Sequence, residues 1–187
     1  MQKLINLTEI ALMAALIAVC AWVTVPTSVP FTLQTFGVFL ALCSLGSLKG
    51  SASVALYILI GAAGAPVFSG FKGGAGVLLG PTGGYITGFL AICVFYALGE
   101  RFFGKSRVTR IVSLAAGLAA CYAAGTFWFA RVMSTGGSAM TVLQILSVCV
   151  FPFIIPDCVK LAAAALVAER ITKLLPKAPK KTNKSAE

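Results

Sequence analysis

The sequence predicts an all-α integral membrane protein, a bundle of six transmembrane helices. Three observations carry that prediction. The chain of 187 residues is 59% hydrophobic and 11% charged, with a mean hydropathy of +0.97, whereas charged residues make up about a quarter of a soluble domain. Its apolar residues come in long blocks with no alternating or one-sided pattern, as in helices bathed in lipid. Its net charge of +10 is concentrated between and after those blocks, as basic residues are on the cytoplasmic side of a membrane protein. A nucleic-acid surface would interleave Lys and Arg with aromatics, and that pattern is missing from this sequence.

The elements follow in order. No charge occurs between Glu9 and Lys49, a stretch too long for one span of ~20 residues. Pro26 and Pro30 divide it. Span 1 is predicted over residues 4–25 and span 2 over 32–48. Lys49-Gly50-Ser51 is read as a tight connection into span 3, 52–67. A glycine-rich outer loop, 69–76, leads into span 4, 81–98. A loop with Glu100, Arg101, Lys105, Arg107 and Arg110 precedes span 5, 111–130, which has no charge. Residues 132–138 read as a loop. The apolar run 139–151 has 13 residues, too short to span, and is expected to be interfacial or re-entrant. Span 6 is predicted to begin near Pro156, a residue suited to a first helical turn, and to end near 175. Residues 1–175 thus form the transmembrane domain. The basic tail 176–187 is expected to be disordered.

Charge counting tests the topology. With both termini inside, twelve of the fifteen Lys and Arg fall on the inner side, and only Lys72 and Arg131 fall outside. A seventh span over 139–151 would carry the basic tail outward, against the positive-inside rule. The six cysteines all sit in apolar blocks without a C-x-x-C pair, and the chain has no His. They are expected to pack as small apolar residues, not to bridge or bind metal. Gly99 to Ser106 matches the phosphate-loop pattern G-x-x-x-x-G-K-[ST]. That loop works between a strand and a helix, whereas here it follows a membrane helix and carries Glu100, Phe102 and Phe103. It reads as an inner loop.

Asp157 and Lys160 stand inside the apolar run 152–168. A charge at the bilayer centre costs at least ~3 kcal/mol, so such residues pair, face a polar cavity and carry function. At spacing i, i+3 they share one helix face. The plainer alternative is an N-terminal cap, Asp157, with Lys160 snorkelling beside it. The segment Gly80 to Phe89 opens span 4 on the same outer side. Its Gly80, Gly84 and Gly88 have the spacing of close helix packing, and they also leave a helix start open to a ligand. Val29 to Phe36 links spans 1 and 2 on that side. Thr32 or Thr35 would cap a helix there, or Gln34 would present an amide to a gate. Three segments converging on one face predict an outward-facing pocket.

Four blocks now resemble the BioY family, the biotin-capturing membrane subunits of energy-coupling-factor (ECF) transporters. They are Pro30-Phe-Thr-Leu-Gln-Thr-Phe36, Gly61 to Phe68, Gly80-Pro-Thr-Gly-Gly-Tyr85, and Pro152 to Lys160. This chain has Ile155-Pro156 before the Asp, where family members commonly carry Pro-Gly. The resemblance implies a six-helix bundle of the ECF S-component type that captures biotin with high affinity near the outer surface. It implies a transmembrane coupling subunit and two cytosolic ATPase subunits as partners, a bacterial plasma membrane, and no cofactor. It assigns biotin contacts to Phe31, Gln34, Thr82, Gly83, Gly84, Tyr85, Asp157 and Lys160, with Phe68 as a further apolar wall. In this family an A-x-x-x-A patch on helix 1 meets the coupling subunit, and Ala11-Leu-Met-Ala-Ala15 fits it. Such a small-residue face also serves packing within a bundle.

The chemistry agrees with that substrate. An ionised Asp only accepts and a Lys only donates. Asp157 suits the ureido N–H groups while Lys160 gives to the ureido oxygen, or Lys160 meets the carboxylate. Both arrangements stay open at this level. No activated nucleophile pair or metal cluster is legible. The other function classes are a self-sufficient carrier or channel, and a membrane enzyme using Asp157 as acid or base.

Overall fold

The computed structural model describes residues 1–25, 30–135 and 140–174. The tail 176–187, residues 26–29 of the outer link and residues 136–139 of the expected loop lie outside the described residues. Helix α1, Gln2–Trp22, buries Ala14, Ile17, Ala18 and Ala21, the i, i+3, i+4, i+7 face of one helix. Two short strands, β1 (Thr24–Val25) and β2 (Phe31–Thr32), pair antiparallel beyond it.

Helix α2, Gln34–Ala62, holds the predicted spans 2 and 3. It breaks at Gly46, where φ is 79°, a left-handed value that glycine adopts without steric cost. The chain folds back on itself there. A Cβ on Gly50 would stand 2.7 Å from the Leu42 Cα and 2.8 Å from the Ala41 carbonyl oxygen. Gln34 and Tyr57, which an unbroken helix would hold ~35 Å apart, hydrogen-bond at 2.7 Å. The arms are 34–45 and 47–62, so Lys49-Gly50-Ser51 is helical and not the turn. The reversal needs a positive φ at Gly46, while Gly50 is needed for close approach of the arms. With the hairpin counted as two passes, the five long apolar helical stretches make six passes, as the sequence predicts.

A 3-10 turn (Ser69–Phe71) and α3 (Ala75–Leu79) order much of the expected outer loop. Helix α4 is Gly83–Phe103 and α5 is Arg107–Thr135. Both run past their predicted ends, so the charged inner loop shrinks to 104–106 and residues 132–135 are helical. Polar ends extend helices into the interface at little cost, whereas only the apolar middle is marked in the sequence. The α4–α5 contact is built on glycine. A Cβ at Gly117 would meet the Ile92 Cα at 2.7 Å, and one at Gly88 the Cys121 Sγ at 2.9 Å. Trp128 covers Gly84 and Tyr85 covers Gly125. Close backbone approach of this kind supplies association energy in lipid.

Helix α6, Val142–Cys149, starts from a capping box formed by Thr141 and Gln144. It is eight residues long, too short to cross a bilayer by itself. Helix α7, Phe151–Leu174, begins five residues before the predicted start, and Pro156 lies inside it. Pro152 takes the early-turn position instead, where a missing N–H leaves no intrahelical bond unmade.

Polar side chains mark one end of the bundle. Lys49 Nζ meets Glu9 at 2.6 Å, Arg107 Nε meets Glu169 at 2.9 Å, and the Ser47 N–H donates to Glu100 at 3.0 Å. These contacts gather the α1 start, the Gly46 reversal, the 104–106 turn and the end of α7. The β1–β2 ribbon, α3 and α6 occupy the opposite end. Between them, Leu12, Val19, Leu59, Val94, Phe127, Val159 and Leu166 are exposed. Such a girdle suits lipid and not water, so the chain is a multi-pass membrane protein.

Candidate functional site

The charged centre rests on α7. Asp157 and Lys160 are 3% and 7% exposed. Lys160 Nζ donates to Asp157 Oδ1 at 2.8 Å, to the Thr32 carbonyl at 2.6 Å and to Thr35 Oγ1 at 3.3 Å. Its three donors are thus all assigned. The ammonium also sits 4.2 Å from the centre of the Phe31 ring, a favourable cation–π distance. Asp157 accepts further bonds from the Thr35 hydroxyl at 2.9 Å and the Tyr122 hydroxyl at 2.5 Å. Helices α2, α5 and α7 therefore meet on one carboxylate. Burying two charges without such partners would cost several kcal/mol per ion.

A cleft of about 700 Å³, open solvent at its mouth included, lies against this network. Asp157, Lys160, Gln34, Thr35 and Tyr122 line its polar side. Tyr85, Ile86, Phe89, Leu118, Cys121, Cys149 and Phe153 supply apolar walls, and Pro30, Thr32, Ser69 and Thr82 complete the lining. Asp157 and Lys160 are the only charged residues among them.

Of the eight expected contacts, Gln34, Thr82, Tyr85, Asp157 and Lys160 line this one cleft. Phe31 stands behind Lys160 and stacks on Phe153, with ring centroids 5.9 Å apart. Gly83 and Gly84 do not line the cleft. They are buried, Gly83 against the Leu78 carbonyl and Gly84 against Trp128, so their small size serves packing. Phe68 is buried edge-on to Tyr57 and also stands apart from the cleft. Gln34 is held by Tyr57, so its amide is already oriented. Neither Thr32 nor Thr35 caps α2, whose N-cap is Leu33 without a side-chain cap bond, although Thr32 Oγ1 accepts from the Gln34 N–H at 3.2 Å. Ala11 and Ala15 lie on the exposed face of α1, while Ala14 and Ala18 face the core.

Tyr122, Phe153 and Cys149 were not legible as site residues. Tyr122 did carry a signal. A phenol hydroxyl in the middle of a Gly- and Ala-rich membrane span needs a partner, and Asp157 was the intramembrane acceptor still to be matched.

The fold and the cleft define the class: a multi-pass α-helical membrane protein with a cleft at one end. Comparison with known proteins narrows it. The BioY family model matches residues 1–177. A "Biotin transporter BioY" of Thermotoga maritima is 43% identical, over 90% of this chain and 96% of its own length. A "Probable biotin transporter BioY" of Pyrococcus horikoshii is 42% identical, over 91% and 98%. The crystal structure of an S-component for biotin from an ECF-type ABC transporter superposes with a TM-score of 0.75 at 26% identity, over 92% of this chain and 93% of that one. The chain belongs to the BioY family.

Proposed function

We propose that this chain captures biotin in the cleft on the outer face of the membrane, as the substrate-binding subunit of an ATP-driven ECF transporter. It is a transporter subunit and not an enzyme. One observation carries the reading: an Asp157–Lys160 pair, held by Thr35 and Tyr122, faces a cleft whose other walls are mostly apolar. Biotin has a matching division, a ureido group that both donates and accepts, fused to an apolar thioether ring. Asp157 Oδ2 takes one bond from Tyr122 and has capacity for a ureido N–H. The aromatic and thiol walls suit the ring.

Names and folds of the relatives support the same substrate and the same class of assembly. The coupling subunit docks on the exposed α1 face at Ala11 and Ala15, and the ATPases act below it. Both termini lie in the cytoplasm, because the basic end of the bundle takes the inner side. The test is saturable thermal stabilisation of the purified chain by biotin, since a native-state ligand stabilises by RT ln(1 + [L]/Kd). A melting temperature unmoved by biotin at any concentration would remove the proposal.

A further inference from the structure

We propose that the site does not read the ligand's carboxyl group by charge, so that carboxyl-substituted biotins, including the amide on a lysine ε-amine, are ligands too. The inference rests on the biotin reading above.

Three observations lead to it. First, the charges lining the cleft cancel. Among the described residues, Asp157 and Lys160 are the only Asp, Glu, Lys or Arg in the lining, and they bond to each other at 2.8 Å. Second, Lys160 has no donor to spare. Its three acceptors are Asp157, the Thr32 carbonyl and Thr35. An incoming carboxylate there would displace one of them and stand against Asp157, a like charge in a place of low dielectric. Third, the rest of the rim is neutral. Pro30, Ser69 and Thr82 are half-buried. Residues 26–29 and 136–139, which lie outside the described residues, contain no ionisable side chain in their sequence.

The other cations of the described residues lie outside the cleft lining. Lys72 and Arg131 are exposed and do not line the cleft. Helix α7 itself ends at Leu174, ~25 Å from Asp157 along its axis. A ligand with its ureido group on Asp157 therefore leaves its acyl tail among neutral hydroxyls at the mouth. The start of α4 near Thr82 can favour an anion there by about two- to fivefold, the ordinary effect of a helix N-terminus. A charge-assisted bond to a buried cation would instead be worth about ten- to a hundredfold.

The experiment is calorimetry on the full chain in detergent with biotin, its primary amide and Nε-biotinyl-lysine, each with wild type and with Lys72→Ala. Both amides are expected to bind within tenfold of biotin, and Lys72→Ala is expected to leave the biotin affinity within tenfold. An amide more than tenfold weaker than biotin would overturn the inference and leave biotin capture intact. So would a Lys72→Ala variant that loses biotin by more than tenfold, because the lysine would then be reading the carboxylate. A chain that binds neither biotin nor the amides would overturn the biotin reading and this inference with it.

Discussion

The Tyr122 hydroxyl donates to Asp157 Oδ2 at 2.5 Å, joining the middle of α5 to the first turns of α7. With Thr35 on Oδ1 it fixes both oxygens of the carboxylate before any ligand arrives. Pre-orientation of this kind lowers the ordering cost of binding.

Tyr122→Phe is therefore expected to weaken biotin binding by about 1 kcal/mol, the ordinary worth of one hydrogen bond. The fold should persist, because the ring still fills its place. Calorimetry checks this, and an unchanged Kd would mean that the phenol serves packing alone.

Asp157→Asn and Lys160→Met are each expected to weaken biotin binding by about 1–3 kcal/mol. Lys160→Met should also lower thermal stability sharply, since it strands a buried carboxylate. Combining the two substitutions removes both charges. The double variant should regain much of the lost melting temperature while still failing to bind tightly. Recovery of affinity along with stability would make the pair a structural cap.

Ala15→Trp places a large ring on the exposed face of α1, away from the cleft. Co-purification with the coupling subunit and cellular uptake should be abolished, while biotin binding by the isolated chain stays within about threefold of wild type. The ground is that small residues let membrane helices approach closely. Intact uptake would move the coupling surface elsewhere, and loss of binding would show that the ring disturbs the bundle.

Orientation can be read with impermeant thiol reagents on a Cys-free background in intact cells. Gly76 is the better outer probe, because a Cβ there meets open space, whereas one at Gly73 would run into the Ala65 carbonyl. Cysteine at 76 should be labelled, and cysteine at Lys105 should not. Labelling of position 105 would invert the topology.

The architecture was legible because lipid imposes long apolar blocks, and the loops between them concentrate charge. Helix ends were less legible. The sequence places the connection at Lys49-Gly50-Ser51 and not at Gly46, because composition does not tell a glycine that turns the chain from one that admits a neighbouring backbone. Pro156 lies inside α7 because Pro152 already stands in the helix's first turn. At the site, the charged residues announced themselves by their cost. Gly83 and Gly84 sit among family-like residues, yet they act by packing α4 rather than by lining the cleft. Cys149 was silent because a thiol on a short apolar helix looks like any small core residue.

Asp157 and Lys160 belong to the same helix, three residues apart. During biosynthesis α7 thus presents the bilayer with a compact dipole and not with two separate ions. A lone charge at mid-membrane penalises insertion by roughly 2.5–3.5 kcal/mol. Here each residue carries its own counter-ion into the membrane, so the insertion of α7 does not depend on partners from α2 or α5. In the folded bundle the hydroxyls of Thr35 and Tyr122 complete the shell around the same pair, without moving a charge across lipid.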